Sequence, residues 1–241
     1  GKIRHENLIA VYDAGQNRKT RLYYLVMEYI SGGTLRARLR KEHRLTSADA
    51  IEIITGIAQA LEKAFEYNIV HRDIKPDNIM FAENGTVKLA DLGIAKAVDP
   101  QDTTLTLEQS VFGTPAYMSP EQARDSHMVD CRADIYSLGI VFYEMLAGRR
   151  PYSGSSTIEL LSQIIDNKEV PDIRSVNSSV GDPLAELIRS MMAKDPAERP
   201  QTPTELLQRL RSPEIRSQKQ FPIAASLPGE ADSPEETVRC G

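Results

Sequence analysis

Residues 71–78 read His-Arg-Asp-Ile-Lys-Pro-Asp-Asn. Charges this dense are costly to bury and hard to explain as packing. Their types and order fit a particular chemistry. Pro76 biases Lys75 toward an extended backbone. Side chains alternate along an extended segment, so Asp73 and Lys75 can point to one side. A carboxylate beside an ammonium is suited to accept a hydroxyl proton while the cation holds a phosphate oxygen. Asn78 adds a neutral oxygen donor just ahead of an apolar stretch. Asp91 precedes Leu92-Gly93, where the backbone is free to swing sharply. An amide oxygen and a carboxylate together suit Mg²⁺ with bound phosphates and waters rather than zinc.

These residues need elements to hold them. Ile51, Ile54, Ala58, Leu61 and Phe65 recur at spacings of three and four, which predicts an amphipathic helix over 47–67 that delivers the chain to His71. Thr46 and Asp49 form a capping-box-like start. The stretch 79–91 reads as two short strands around Asn84-Gly85, a hairpin that returns Asp91 toward Asn78. Residues 21–29 are rich in aromatic and β-branched types and predict a strand. Gly32-Gly33 breaks it, and 34–42 is a short basic helix. Residues 133–148 are apolar on nearly every face, the pattern of a helix buried all round, and Gly148 is placed to end it. Further helices are expected near 155–166, 183–193 and 203–210. The polar stretch 95–113 reads as a loop. From Ser212 onward, prolines and mixed charge without periodicity predict a disordered tail or linker over 212–241.

Bulk properties exclude several classes. The chain has 241 residues, 41% apolar and 26% charged, which is ordinary for a globular protein. A net charge of −5 argues against a nucleic-acid partner. The two cysteines, Cys131 and Cys240, stand far apart, which argues against a disulfide framework or a zinc site and fits a reducing compartment. No apolar run is long enough to span a bilayer.

The ordered motifs resemble the protein kinase family. His71–Asn78 is similar to its catalytic loop, and Asp91-Leu92-Gly93 to its Asp-Phe-Gly element. Residues 113–121 resemble the end of its activation segment, 134–148 its buried central helix, 195–200 the segment carrying the arginine that pairs with the activation-segment glutamate, and 25–35 its hinge. The resemblance covers about residues 5–211, and its wording is most similar to bacterial eukaryotic-like Ser/Thr kinases. It implies an α+β kinase-like fold: a partial small lobe and hinge over 1–30, and a mostly helical large lobe over 31–211.

The resemblance also implies roles. Asp73 would orient the substrate hydroxyl and take its proton, Lys75 would neutralise the transferred phosphoryl group, and Thr114 would bond both. Asn78 and Asp91 would hold Mg²⁺, with Mn²⁺ as an alternative, beside ATP. Met27 would be the gatekeeper, the backbone of Glu28 and Ile30 would face adenine, and Met80 would lie beneath it. His71 and Leu92 would join the stack connecting the lobes, Glu121 and Arg199 would form a buried ion pair, and Asp134 would anchor the backbone around His71-Arg72. Arg72 would wait for a phosphate on Thr103, Thr104, Thr106 or Ser110. The expected activity is ATP-dependent phosphorylation of protein Ser/Thr hydroxyls, with autophosphorylation in cis or in trans. The expected place is the cytoplasm, with membrane attachment only if a helix follows the tail in a parent protein. No Gly-x-Gly-x-x-Gly loop or Val-Ala-Ile-Lys-like strand lysine is found. The chain therefore reads as a piece of a larger kinase, expected to bind ATP poorly alone. The alternatives are a catalytically inactive scaffold, or a large lobe that binds a nucleotide or regulator.

Overall fold

A computed structural model describes residues 3–92, 115–124, 129–166 and 170–217. Two antiparallel hairpins and eight α-helices occur among them. The first hairpin pairs β1 (Val11–Gln16) with β2 (Tyr23–Met27), with an irregularity between Val11 and Asp13. Helix α1 (Leu35–Glu42) follows, then α2 (Ser47–Phe65). The second hairpin pairs β3 (Ile79–Phe81) with β4 (Val87–Leu89). The rest is helical: α3 (Pro120–Arg124), α4 (Cys131–Ala147), α5 (Thr157–Ile165), α6 (Asp182–Met191), α7 (Pro203–Leu210) and α8 (Pro213–Ser217).

Local chemistry explains most of the boundaries. Thr34 caps α1 by accepting from the Ala37 amide, and Thr46 caps α2 by accepting from the Asp49 amide. The Asp49 carboxylate turns instead to Arg38, so the capping box is half made. Gly148 ends α4 with φ 71°, and a Cβ there would stand 3.1 Å from the His43 carbonyl oxygen. The Asn84-Gly85 pair does turn the second hairpin, but within a loop spanning 82–86 rather than a two-residue turn. Asn84 accepts from the Thr86 amide, and Ala82 donates to the Thr86 carbonyl.

The core sits in the helical body. Every residue of α4 from Ala133 to Leu146 is buried, as its all-round apolar pattern predicts. Helix α2 packs on α4 and α7, and α6 packs on α4. Gly139 makes the last contact close, since a Cβ there would lie 2.9 Å from Met191 Cβ. The second hairpin lies on α2, and the segment before β1 is stitched to it. Leu8 bridges Leu89, the Leu89 amide donates to the Asn7 carbonyl at 2.8 Å, and Asn7 Nδ2 donates to the Val87 carbonyl at 2.7 Å.

One expectation is corrected. Residues 212–217 are not an unstructured start to the tail, because α8 forms there and buries Ile215 to 3% exposure against the core. Three prolines in 203–223 disguise it: Pro213 opens the helix at a position where a proline lacks no needed donor. Residues 218–241 lie outside the described residues.

Candidate active site

The loop between α2 and β3 is held from beneath by one buried carboxylate. Asp134, in the first turn of α4, accepts from the His71 amide at 2.7 Å and from the Arg72 amide at 2.8 Å. Burial raises its pKa, against the opposing pull of His71 and the two amides. Arg72 adopts φ 67°, a strained conformation for a residue with a long side chain. The Asp134 bond over-determines it, as does Gln122 Nε2 donating to the Arg72 carbonyl at 3.0 Å.

His71 is buried and polar-bonded rather than merely stacked. Its Nδ1 accepts from the Asp73 amide at 3.3 Å, so Nε2 carries the proton and donates to the Ala90 carbonyl at 2.7 Å. The imidazole thus ties the Asp73 backbone to the strand end that precedes Asp91.

Asp73, Lys75 and Asn78 converge. Lys75 Nζ lies 2.7 Å from Asp73 Oδ2. Asn78 Nδ2 donates to the same oxygen at 3.0 Å and to the Asp73 carbonyl at 2.8 Å. With both donors on Oδ2, Oδ1 accepts no hydrogen bond among the described residues and is open to a donor such as a hydroxyl. Because the Asn78 nitrogen is committed inward, its amide oxygen is left as a ligand atom. The Ala90 amide donates to the Asn78 carbonyl at 2.8 Å, which sets Asp91 beside it. Asp91 has φ 57°, a left-handed conformation that Asp tolerates better than most residues. Its carboxylate accepts no hydrogen bond among the described residues. One amide oxygen and one free carboxylate are hard donors, and they fit Mg²⁺ carrying phosphate and water oxygens.

The residues between β2 and α1 lie to one side of β3. Thr34 bridges Met80, and the Gly32 amide donates to the Phe81 carbonyl at 2.9 Å. Met80 is half-buried and Ile30 buried, whereas Met27 is 38% exposed. The Glu28 amide is taken by the Ala10 carbonyl at 2.8 Å, while the Ile30 amide is unpaired among the described residues. The Glu28 carboxylate accepts from the Ala10 amide and pairs with Lys88 at 3.0 Å. These two partners outweigh burial and hold its pKa below the usual value. Leu92 is half-buried against the core.

Glu121 and Arg199 meet in a fork, Nη1 to Oε1 at 2.7 Å and Nη2 to Oε2 at 2.9 Å. The guanidinium also donates to the carbonyls of Ala193, Lys194 and Arg132, and lies 4.9 Å from the Tyr136 ring centroid.

A second cluster escaped the sequence reading. Arg36 on α1 donates to Asp77 at 3.3 Å, to Glu144 on α4 at 2.9 Å, and to the Tyr117 hydroxyl. That hydroxyl donates to Glu144 Oε2 at 2.5 Å. Burial, followed by the field of Glu144, raises the Tyr117 phenol well above its ordinary pKa. The cluster joins α1, the 3₁₀ turns Pro76–Asn78 and Pro115–Tyr117, and α4. A signal was present: one glutamate inside a helix read as buried all round demands a cationic partner. Thr114 and the candidates Thr103, Thr104, Thr106 and Ser110 lie outside the described residues.

The helical body thus carries a loop that converges a carboxylate, an ammonium and an amide, next to a hairpin followed by an aspartate whose carboxylate is unpaired among the described residues. The model of the family described as "Protein kinase domain" matches residues 1–210, and the chain belongs to that family. It is similar to bacterial serine/threonine kinases. It is 40% identical over 182 residues to "Probable serine/threonine-protein kinase PknB" of Bifidobacterium longum, covering 73% of this chain and 26% of that protein. It is 39% identical over 206 residues to "Serine/threonine-protein kinase PknB" of Mycolicibacterium smegmatis, covering 85% and 33%. It is 39% identical over 205 residues to "Probable serine/threonine-protein kinase CPE1738" of Clostridium perfringens, covering 85% and 29%. The chain thus spans a third or less of the length of these relatives. No described helix is long and apolar enough to cross a membrane.

Proposed function

We propose that this chain carries the acceptor-activating and metal-holding part of a Ser/Thr protein kinase, which moves the terminal phosphoryl group of ATP to protein hydroxyls. The observation that carries the reading is the convergence on Asp73. One carboxylate oxygen is held by Lys75 and Asn78, and the other is left toward an incoming group. Asp73 would accept the hydrogen bond of the acceptor hydroxyl and fix its approach; positioning of this kind supplies much of the rate in phosphoryl transfer. Lys75 sits close enough to leave Asp73 for a phosphoryl oxygen as charge develops there. Asn78 and Asp91 would hold Mg²⁺, whose chemistry is to neutralise phosphate charge when bound. Thr114 would steady Asp73 and Lys75. The unpaired Ile30 amide, with the Glu28 carbonyl, would meet the adenine edge, and Met27 and Met80 would pack on the ring.

Arg72 would receive a phosphate carried by Thr103, Thr104, Thr106 or Ser110, made in cis or by a second copy. The substrates are proteins presenting Ser or Thr, and the setting of this domain is the cytoplasm, with membrane attachment only where a helix follows the tail in a parent protein. The test is transfer of ³²P from γ-labelled ATP to a basic protein substrate by the full-length protein. Transfer that falls at least about a hundredfold in Asp73→Ala, with folding unchanged by circular dichroism, supports the reading. Undiminished transfer in that variant overturns it, as does a wild-type protein without transfer when supplied with ATP and Mg²⁺.

A further inference from the structure

We propose that the arginine-rich face where α1 and α4 end docks an acidic segment of a partner protein. The last turn of α1 carries Arg40 and Lys41, and Arg44 follows its cap. The chain then crosses the end of α4. The Leu45 amide donates to the Met145 carbonyl at 2.7 Å, and a Cβ on Gly148 would lie 3.7 Å from Arg44 Cβ. Arg149 and Arg150 come next. Arg40 stands one turn beyond Arg36 on the side of α1 that faces α4, so two stretches distant in sequence bring five cations to one end of the body.

Their side chains are unspent. Arg40, Lys41, Arg149 and Arg150 are exposed, Arg44 is half-exposed, and none forms an ion pair or side-chain hydrogen bond among the described residues. Two of the nearby anions are already engaged, while Glu6 and Glu52 line the same groove as Lys41. Glu42 pairs with Arg38 at 3.1 Å, and Asp172, whose field reaches Tyr143 together with that of Arg149, forks onto Arg174. The α1 macrodipole accounts for a cation in its last turn, but its reach does not extend to Arg149 and Arg150. A cluster of five cations that forms no ion pair among the described residues, on a chain of net charge −5, is a local reversal of sign that attracts anions.

Four of the five cations are arginines, whose planar forks match carboxylates in pairs. That favours a Glu/Asp-rich polypeptide. A bilayer surface fits less well, because the large exposed apolar side chains lie elsewhere, on the first hairpin, around Phe65 and Tyr67, and at Ile158. The chain has an acidic run of its own, with Glu230, Asp232, Glu235 and Glu236. The last described element before it, α8, packs against α6 and α7 rather than α1, which favours a segment supplied by another protein.

The test is fluorescence anisotropy of a labelled octaglutamate peptide titrated with the full chain. Saturable binding at low salt is expected, weakened at high salt. Arg40→Glu with Arg150→Glu should weaken it about tenfold or more, while Arg40→Lys with Arg150→Lys and the distant control Arg18→Glu with Lys19→Glu should retain it. Circular dichroism checks that each variant is folded. Absence of binding overturns the proposal, as does equal binding by the Arg40→Glu, Arg150→Glu chain. Tighter binding of single-stranded DNA or phosphatidylserine vesicles than of the peptide also overturns it. So does a tenfold gain on neutralising Glu230, Asp232, Glu235 and Glu236 to their amides, which would give the face to the chain's own acidic run.

Discussion

Arg199 is 2% exposed, and each of its three nitrogens is bonded inside the protein. Its partner Glu121 is pulled two ways. Burial alone would raise the carboxyl pKa, but the hydrogen bonds and charge of Arg199 win and hold it below the ordinary 4.5. For a depressed carboxylate, the stabilisation is complete above the unfolded value and is lost as pH falls through the folded one. Urea midpoints should therefore drop for the native chain as pH falls below about 4.5. In Arg199→Met, burial is left to dominate Glu121 and the slope should reverse. That variant should also cost roughly 3–5 kcal/mol near neutral pH, because it strands a buried charge, and adding Glu121→Leu should recover much of the loss. A single variant that costs nothing would show that the fork contributes no net stability. The pairing was legible through motif resemblance, but the three carbonyls were not. They come from a backbone path that residue types alone do not specify.

At the scale of elements, α4 was the most legible feature, because only a helix buried all round tolerates apolar residues on every face. What remained hidden was the use of its one late carboxylate. Glu144 meets Arg36 across 108 residues of sequence, and the bond exists only because the first turn of α1 comes within reach of the last turn of α4. The cluster makes a graded prediction. Tyr117→Phe removes one hydroxyl and leaves Arg36 on Glu144, so it should cost about 1 kcal/mol. Arg36→Met leaves Glu144 buried against a neutral phenol and should cost about 2 kcal/mol or more, less than a fully buried pair because Arg36 is partly solvated. A double-mutant cycle should give a coupling of about 0.5 kcal/mol or more. Strict additivity of the two losses in thermal or urea unfolding would mean that the three groups do not act as a unit.

Across the whole molecule, burial is unevenly distributed, and stability should follow it. Helices α2, α4, α6 and α7 share one core, whereas β1 and β2 bury little: Tyr12, Tyr23, Tyr24 and Val26 are all exposed. The aromatic and β-branched run at 21–29 announced a strand, and a strand formed at Tyr23–Met27. Its composition was silent on which face is covered, because apolar residues occur at successive positions and no alternation marks a buried side. Among the described residues the hairpin is fastened at its base, by the Glu28–Lys88 pair and by the bonds of Asn7 and Ile9 to β4. A two-stranded ribbon with so little covering is marginal by itself. Native-state hydrogen exchange should therefore find two units. Amides of Tyr24, Leu25 and Val26 should exchange about a hundredfold or more faster than those of Ile54, Ile57 and Ile140, through an opening that leaves the helical body intact. Lys88→Met should speed the hairpin amides further while moving the α4 amides little, since the pair it breaks belongs to the base of the hairpin. Uniform protection across β2 and α4, or equal acceleration of both in Lys88→Met, would mean that the hairpin and the body open as one cooperative unit.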